Sequence, residues 1–278
     1  MPNTQTNAVL AALDDLTSLR PFPTVATRLL QLSDADADLT ELAGIIECDP
    51  AVSLHLLRVA NSSVYGFSGQ IRSVQHAVVI LGFREVRNMA LGLASGQVFG
   101  QGGQQQGAEL WQHSLGCAAV ARSLATYYPG ASPDEAFLGG ILHDVGKLIF
   151  FDVIPDDYAS TTADLDPYMI AQVETDSFGI THQEIGQHCA DEWELPMELN
   201  DVIRFHHDFD EPEVESDLLD VVKAANCLAR YWELGSGETQ TEETEPTEQL
   251  GLKLSEPELQ QVRESAEAGY EALCASCG

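Results

Sequence analysis

Apolar residues recur along this chain three and four positions apart, and the strict alternation that a half-buried strand needs hardly occurs. The pattern predicts helices almost throughout. "LAGIIE" follows Asp38-Leu-Thr-Glu41, a stretch shaped like a capping box, and "AVSLHLLRVAN" follows Asp49-Pro50, an N-cap with a proline at the first helical position. Asn61-Ser62 ends that second helix, and Gly66 permits the turn beyond it. Ser132-Pro-Asp-Glu135 predicts a capping box for a helix that runs on through "GGILHDVGKLIFF". Thr181-His-Gln-Glu184 predicts another over "IGQHCADEW", Pro196 opens "MELNDVIRFHH", and Ser255-Glu-Pro-Glu258 opens a last amphipathic helix. Apolar helices joined by short connections make an all-α bundle.

Polar stretches without periodicity divide the bundle. Gly100-Gln-Gly-Gly-Gln-Gln-Gln-Gly107 reads as a loop, which separates an N-terminal helical lobe, 19–100, from a second lobe, 108–231. "IPDDYASTTADLDP" is a shorter excursion within the second lobe. Residues 233–250 are rich in Glu and Thr and contain no Lys or Arg, the composition of a flexible acidic linker, and they precede a C-terminal helix within 255–278. No internal repeat recurs at a fixed period.

Composition narrows the partners. With 278 residues and 44% hydrophobic content, the chain can bury a substantial core as one large domain or two modest ones. Thirteen Lys+Arg against 44 Asp+Glu give a formal charge of -31, which repels nucleic-acid phosphates and anionic membrane surfaces. Neither nucleic acid nor a membrane is expected as a partner. The N-terminus lacks a basic region followed by an apolar run, and no segment approaches the roughly 18 consecutive apolar residues of a membrane span. A cytoplasmic location is expected. The six cysteines are scattered as reduced thiols would be, and Cys274-x-x-Cys277, with no second pair or histidine nearby, reads as a coincidence.

His143, Asp144 and Lys147 are the anomaly, because they interrupt an apolar run and buried ionisable groups cost several kcal/mol unless paired or bound to a metal. Asp144 and Lys147 are spaced to share a helix face. Glu109 and His113 stand one above the other at i and i+4 upstream. His182, the His206-His207 pair and Asn226 follow downstream. His55, His76 and His188 have no such company and are assigned no function. Neutral imidazoles with carboxylates suit divalent transition metals, Fe or Mn first and Zn or Ni next, and bundle cores collect such ligands from several helices around one or two ions. Two ions can hold a phosphate oxygen between them, with Lys147 helping to neutralise the phosphate. The alternative is a metal-free core in which these groups satisfy one another.

His113, the His143-Asp144 doublet and a later acidic or amide position resemble the HD superfamily of metal-dependent phosphohydrolases, with Asn226 where that pattern has its last aspartate. The wider set of Glu109, His113, His143, Asp144, Lys147, His182, His206 and His207 is similar to the metal-binding set of the HD-GYP branch, which hydrolyses cyclic di-GMP. This chain carries "HHDFDEPEV" where that branch has Gly-Tyr-Pro. "LRPFPTVATRLLQL", "LAGIIECDPAVSLHLLRVANSSVYG" and "IRSVQHAVVILGFREVRNMAL" resemble, in order and spacing, the HDOD domain, the HD-related output domain of bacterial signalling proteins, over residues 19–231. The resemblance implies a helical bundle with an HD-like second lobe and a regulatory role, as an output or partner-binding module for a signalling protein or a phosphate-containing small molecule. Many HDOD domains have lost the HD ligands, whereas this chain keeps Glu109, His113, His143, Asp144, His182, His206 and His207, with Asn226 offering an amide oxygen in place of a carboxylate. The resemblance also implies an alternative, a metal-dependent phosphohydrolase acting on a nucleotide or phosphodiester, in which Asp144 and Lys147 would carry the catalysis.

Overall fold

The computed structural model describes residues 4–13, 22–32, 38–61, 65–66, 69–100, 105–163, 165, 169–208, 214, 216–235, 250 and 252–277. Expectations for residues 19–21, for Ser62, for the middle of the Gly-Gln loop, for most of the acidic linker and for the side chain of Cys277 lie outside them.

Helix α1 (Thr4–Leu13) and α2 (Thr24–Leu30) lead into α3 (Leu39–Glu47), whose N-cap Asp38 accepts bonds from the Thr40 and Glu41 amides at 2.8 and 3.3 Å. Asp49 caps α4 (Pro50–Ala60) in the same way, with Pro50 at the first position. Asn61 closes α4: its amide donates to the Leu57 and Ile71 carbonyls and its oxygen accepts from the Ile71 amide. That anchors the turn ahead of α5 (Val74–Leu81), α6 (Phe83–Gly100) and α7 (Gln105–Ala125). Next come α8 (Pro133–Leu142), α9 (Lys147–Val153), α10 (Pro155–Thr162), α11 (Ile170–Phe178), α12 (His182–Glu192), α13 (Met197–Phe205), α14 (Asp217–Tyr231) and α15 (Glu256–Cys277).

Two local expectations are corrected. The helix predicted through "GGILHDVGKLIFF" is two helices, because the amides of Val145, Lys147, Leu148 and Ile149 bond only three residues back and tighten the chain into a turn over 143–146. The predicted capping box at Ser132 does not form, since its side chain accepts no cap bond and Pro133 opens α8 without it. The "IPDDYASTTADLDP" excursion is partly helical, with Pro155, Asp156 and Asp157 in the first turn of α10, where proline geometry and the helix dipole favour them. Thr181 and Glu184 do make the reciprocal capping box that starts α12.

One apolar core runs continuously from Val9 in α1 through Leu56, Ile141 and Phe150 to Ile203 in α13. A second fills the space between α7, α14 and α15 around Val120, Leu124, Val222, Leu228 and Val262. The last helix docks on the bundle itself, against both α7 and α4. Among the described residues there is no strand, and no helix is long and apolar enough to cross a membrane.

Candidate metal centre

The turn between α8 and α9 places one carboxylate in the interior. Asp144 is fully buried, and its two oxygens face two groups of side chains. Toward Oδ2 lie Lys147 Nζ at 2.7 Å, His143 Nε2 at 3.3 Å and His113 Nε2 at 3.7 Å. Toward Oδ1 lie His182 Nε2 and His206 Nε2, each at 3.4 Å. The ligand-type atoms of Asp144, His182, His206 and His207 fall within 4.8 Å of one another, and so do those of His113, His143 and Asp144. Residues from α7, the α8–α9 turn, α12 and the end of α13 are thus brought to one centre.

Three imidazoles are held with Nε2 inward. Nδ1 of His143 donates to the Gly140 carbonyl at 2.9 Å, and Nδ1 of His206 donates to the Ile203 carbonyl at 2.9 Å. His182 is gripped more firmly. Its Nδ1 lies 2.7 Å from Glu174 Oε2, an oxygen that also accepts the His182 amide at 2.8 Å, while Glu174 Oε1 accepts the Tyr158 hydroxyl at 2.6 Å. A carboxylate behind a histidine fixes its tautomer and makes its other nitrogen a better ligand.

The charges divide unevenly. Burial opposes ionisation of Asp144, but Lys147 and His143 outweigh it and hold the carboxyl well below the usual carboxylate range. Burial likewise opposes charge on His143, and Asp144 overrides it, raising that imidazole to about 10. Burial pushes His206 down to about 3 and keeps His113 and His207 low, with neighbouring cations adding to the effect.

The residues fit a divalent cation. His143 Nε2, Asp144 Oδ1 and His207 Nε2 are buried without a hydrogen-bond partner, at the very place where the other ligand-type atoms converge. Natural cores rarely leave such atoms unsatisfied. Donors sharing an ion at about 2.1 Å sit roughly 3.0–3.4 Å apart, close to the spacings around Asp144.

Two predicted ligands stand differently. Glu109 is exposed and lies in the wall of the adjoining cavity, one helical turn from His113. Asn226 is buried, with Oδ1 3.0 Å from His113 Nε2, and since an amide oxygen only accepts, that nitrogen carries a proton which a bound cation would displace. Sequence reasoning overlooked Glu174, Tyr158 and Arg230. A signal for Glu174 was present, because Ile170, Glu174 and Phe178 are spaced as one buried face of α11. Arg230, four residues beyond Asn226, is buried in the wall of the same cavity.

Residues 19–209 match the HDOD domain family. The fold resembles the crystal structure of an HDOD domain protein of unknown function from Geobacter sulfurreducens, 25% identical, with a TM-score of 0.72 over 94% of this chain and 88% of that one. It also resembles a protein from Shewanella amazonensis SB2B described as a candidate phosphohydrolase, 24% identical, with a TM-score of 0.74 over 96% of this chain and 97% of that one, a likeness of fold. An uncharacterised protein of Treponema pallidum (strain Nichols) is 26% identical over 97% of this chain and 53% of its own length, so the chain spans about half of that curated relative. A match over more than half of the sequence, on a helical bundle with an HD-type histidine and aspartate cluster at its centre, makes this chain a member of the HDOD domain family.

Proposed function

We propose that this chain is a regulatory HDOD module that holds one or two divalent transition metal ions around Asp144 and serves bacterial signalling as an output or partner-binding element. The observation that carries the reading is the convergence of inward-facing Nε2 atoms and a shared carboxylate, three of those atoms without a hydrogen-bond partner. Mixed nitrogen and oxygen donors favour iron or manganese, with zinc or nickel served by the same imidazoles. His113, His143, His182, His206, His207 and Asp144 would hold the ions, Glu109 would reach in from the cavity wall, and Asn226 would offer its amide oxygen. Cys117, Cys189 and Cys227, buried and outside any disulfide, fit a reducing cytoplasm.

Two features favour regulation over turnover. Asn226 supplies no negative charge to offset the cations, and Lys147, the cation nearest the centre, is already committed to Asp144 at 2.7 Å. A second reading, a metal-dependent phosphohydrolase, is favoured by the open cavity into which Asp144 and Lys147 face, where bound ions would supply Lewis acidity toward a phosphate oxygen.

Elemental analysis of the purified, reloaded chain is expected to find at least one transition metal ion per molecule; a chain that retains none after reloading would overturn the metal reading. With Mn(II) or Fe(II) added, an activated phosphodiester is expected to remain uncleaved. Cleavage that His143→Ala abolishes would instead establish the hydrolase.

A further inference from the structure

The cavity beside Asp144 has a volume of about 750 Å³ and carries two cations in its wall, Lys147 and Arg230. They are not equivalent. Lys147 is neutralised by Asp144. Arg230 is only 4% exposed, its Nη1 has no hydrogen-bond partner, and among the described residues no carboxylate pairs with it. A guanidinium cannot shed its proton, so a buried nitrogen without a partner favours an anion beside it. Glu109 and Glu233 also line the cavity. The remaining wall includes Leu110, Phe151 and Ile170, apolar surface suited to the uncharged part of a ligand.

We propose that Arg230 anchors a small-molecule site in this cavity whose ligand carries a phosphate group. The planar fork of arginine matches a phosphate with two parallel hydrogen bonds. The volume lies in the range of small-molecule sites, roughly 300–1,000 Å³. The formal charge of -31 opposes a polyanion such as nucleic acid while leaving a small ester free to reach one local cation. Arg230 stands on α14, outside the span that matches the family, 19–209, while most of the cavity wall lies within that span. The preference for phosphate over carboxylate rests on the metal reading above, because cations beside Asp144 would add to the attraction for a multiply charged group.

The test is calorimetric titration of the full chain with inorganic phosphate and, separately, malonate, on chelator-stripped and Mn(II)-reloaded protein. Phosphate is expected to bind both forms, and the Mn(II)-reloaded form more tightly than malonate does, and Arg230→Gln is expected to weaken it about tenfold or more with metal content unchanged. Arg230→Lys, which keeps the charge and loses the fork, is expected to fall between, and it decides the matter alone should the glutamine variant fail to fold. A chain that holds no metal yet binds phosphate through Arg230 sustains the anchor while overturning the metal reading. Phosphate bound equally by wild type and variant, no phosphate bound by either form of the wild type, or tighter binding of malonate by the metal-loaded form would overturn the proposal.

Discussion

At Asp144 a single carboxylate sets the protonation of the residues around it. Paired with Lys147 and His143 it stays ionised, and it leaves His113, His206 and His207 among buried neighbours that cannot afford a second charge. In the metal-free chain the signs are definite. His206 takes up its proton near pH 6.5 when unfolded and near pH 3 when folded, so between those values the unfolded state holds more protons and stability falls as the pH falls. His113 and His207 act in the same direction, and Asp144 adds its loss at still lower pH. His143 is opposite: its contribution is complete below about pH 6.5 and is lost as the pH rises toward 10. Urea midpoints of the stripped chain are therefore expected to peak near neutrality, each neutral histidine adding up to about 1.4 kcal/mol per pH unit on the acid side. A midpoint unchanged between pH 7 and pH 5 would contradict the neutral imidazoles. Glu174→Gln removes the carboxylate behind His182 and keeps the shape, and metal affinity measured by competition with a chelator is expected to drop roughly 10–100-fold.

Among the elements, the crossing of α9 and α12 determines whether that chemistry can assemble. A Cβ built on Gly146 runs into the His182 carbonyl and comes within 2.6 Å of the Gly186 amide nitrogen, so the two segments meet backbone to backbone. Gly146→Ala is expected to cost about 1–3 kcal/mol in a urea melt and to weaken metal binding by displacing His182. Gly269→Ala in α15 is the control: its new methyl would meet only the Ala119 Cβ at 3.8 Å, and the helix should gain about 0.5–1 kcal/mol. This crossing also marks where sequence reading stops. The caps at Asp38, Asp49 and Thr181 were legible because a cap is a local arrangement of side chain and nearby amides. The break at 143–146 was not, since an apolar run keeps the same period whether the helix continues or turns, and the close approach of Gly146 to the His182 backbone joins residues distant in the chain. The histidines and Asp144 were legible as residue types out of place. Glu174, Tyr158 and Arg230 were not, because their roles depend on what they touch from other helices.

Across the whole molecule, α15 is one of the helices that contribute to both cores. Leu259, Val262 and Ala266 complete the core between α7 and α14, while Leu273 enters the core shared by the earlier helices. Ser123 donates to the Val262 carbonyl at 3.1 Å, and Tyr270 donates to Gln112 at 2.7 Å. A chain ending at residue 254 is expected to lose several kcal/mol of stability in a urea melt, on the scale of about 1.5–3 kcal/mol for each large apolar side chain withdrawn. An undiminished midpoint would mean that the helix docks without consequence. Tyr270 also forms one side of the cavity beside Asp144. A guest resting there would lean on the C-terminal helix, so loosening that helix is expected to shorten the guest's dwell time.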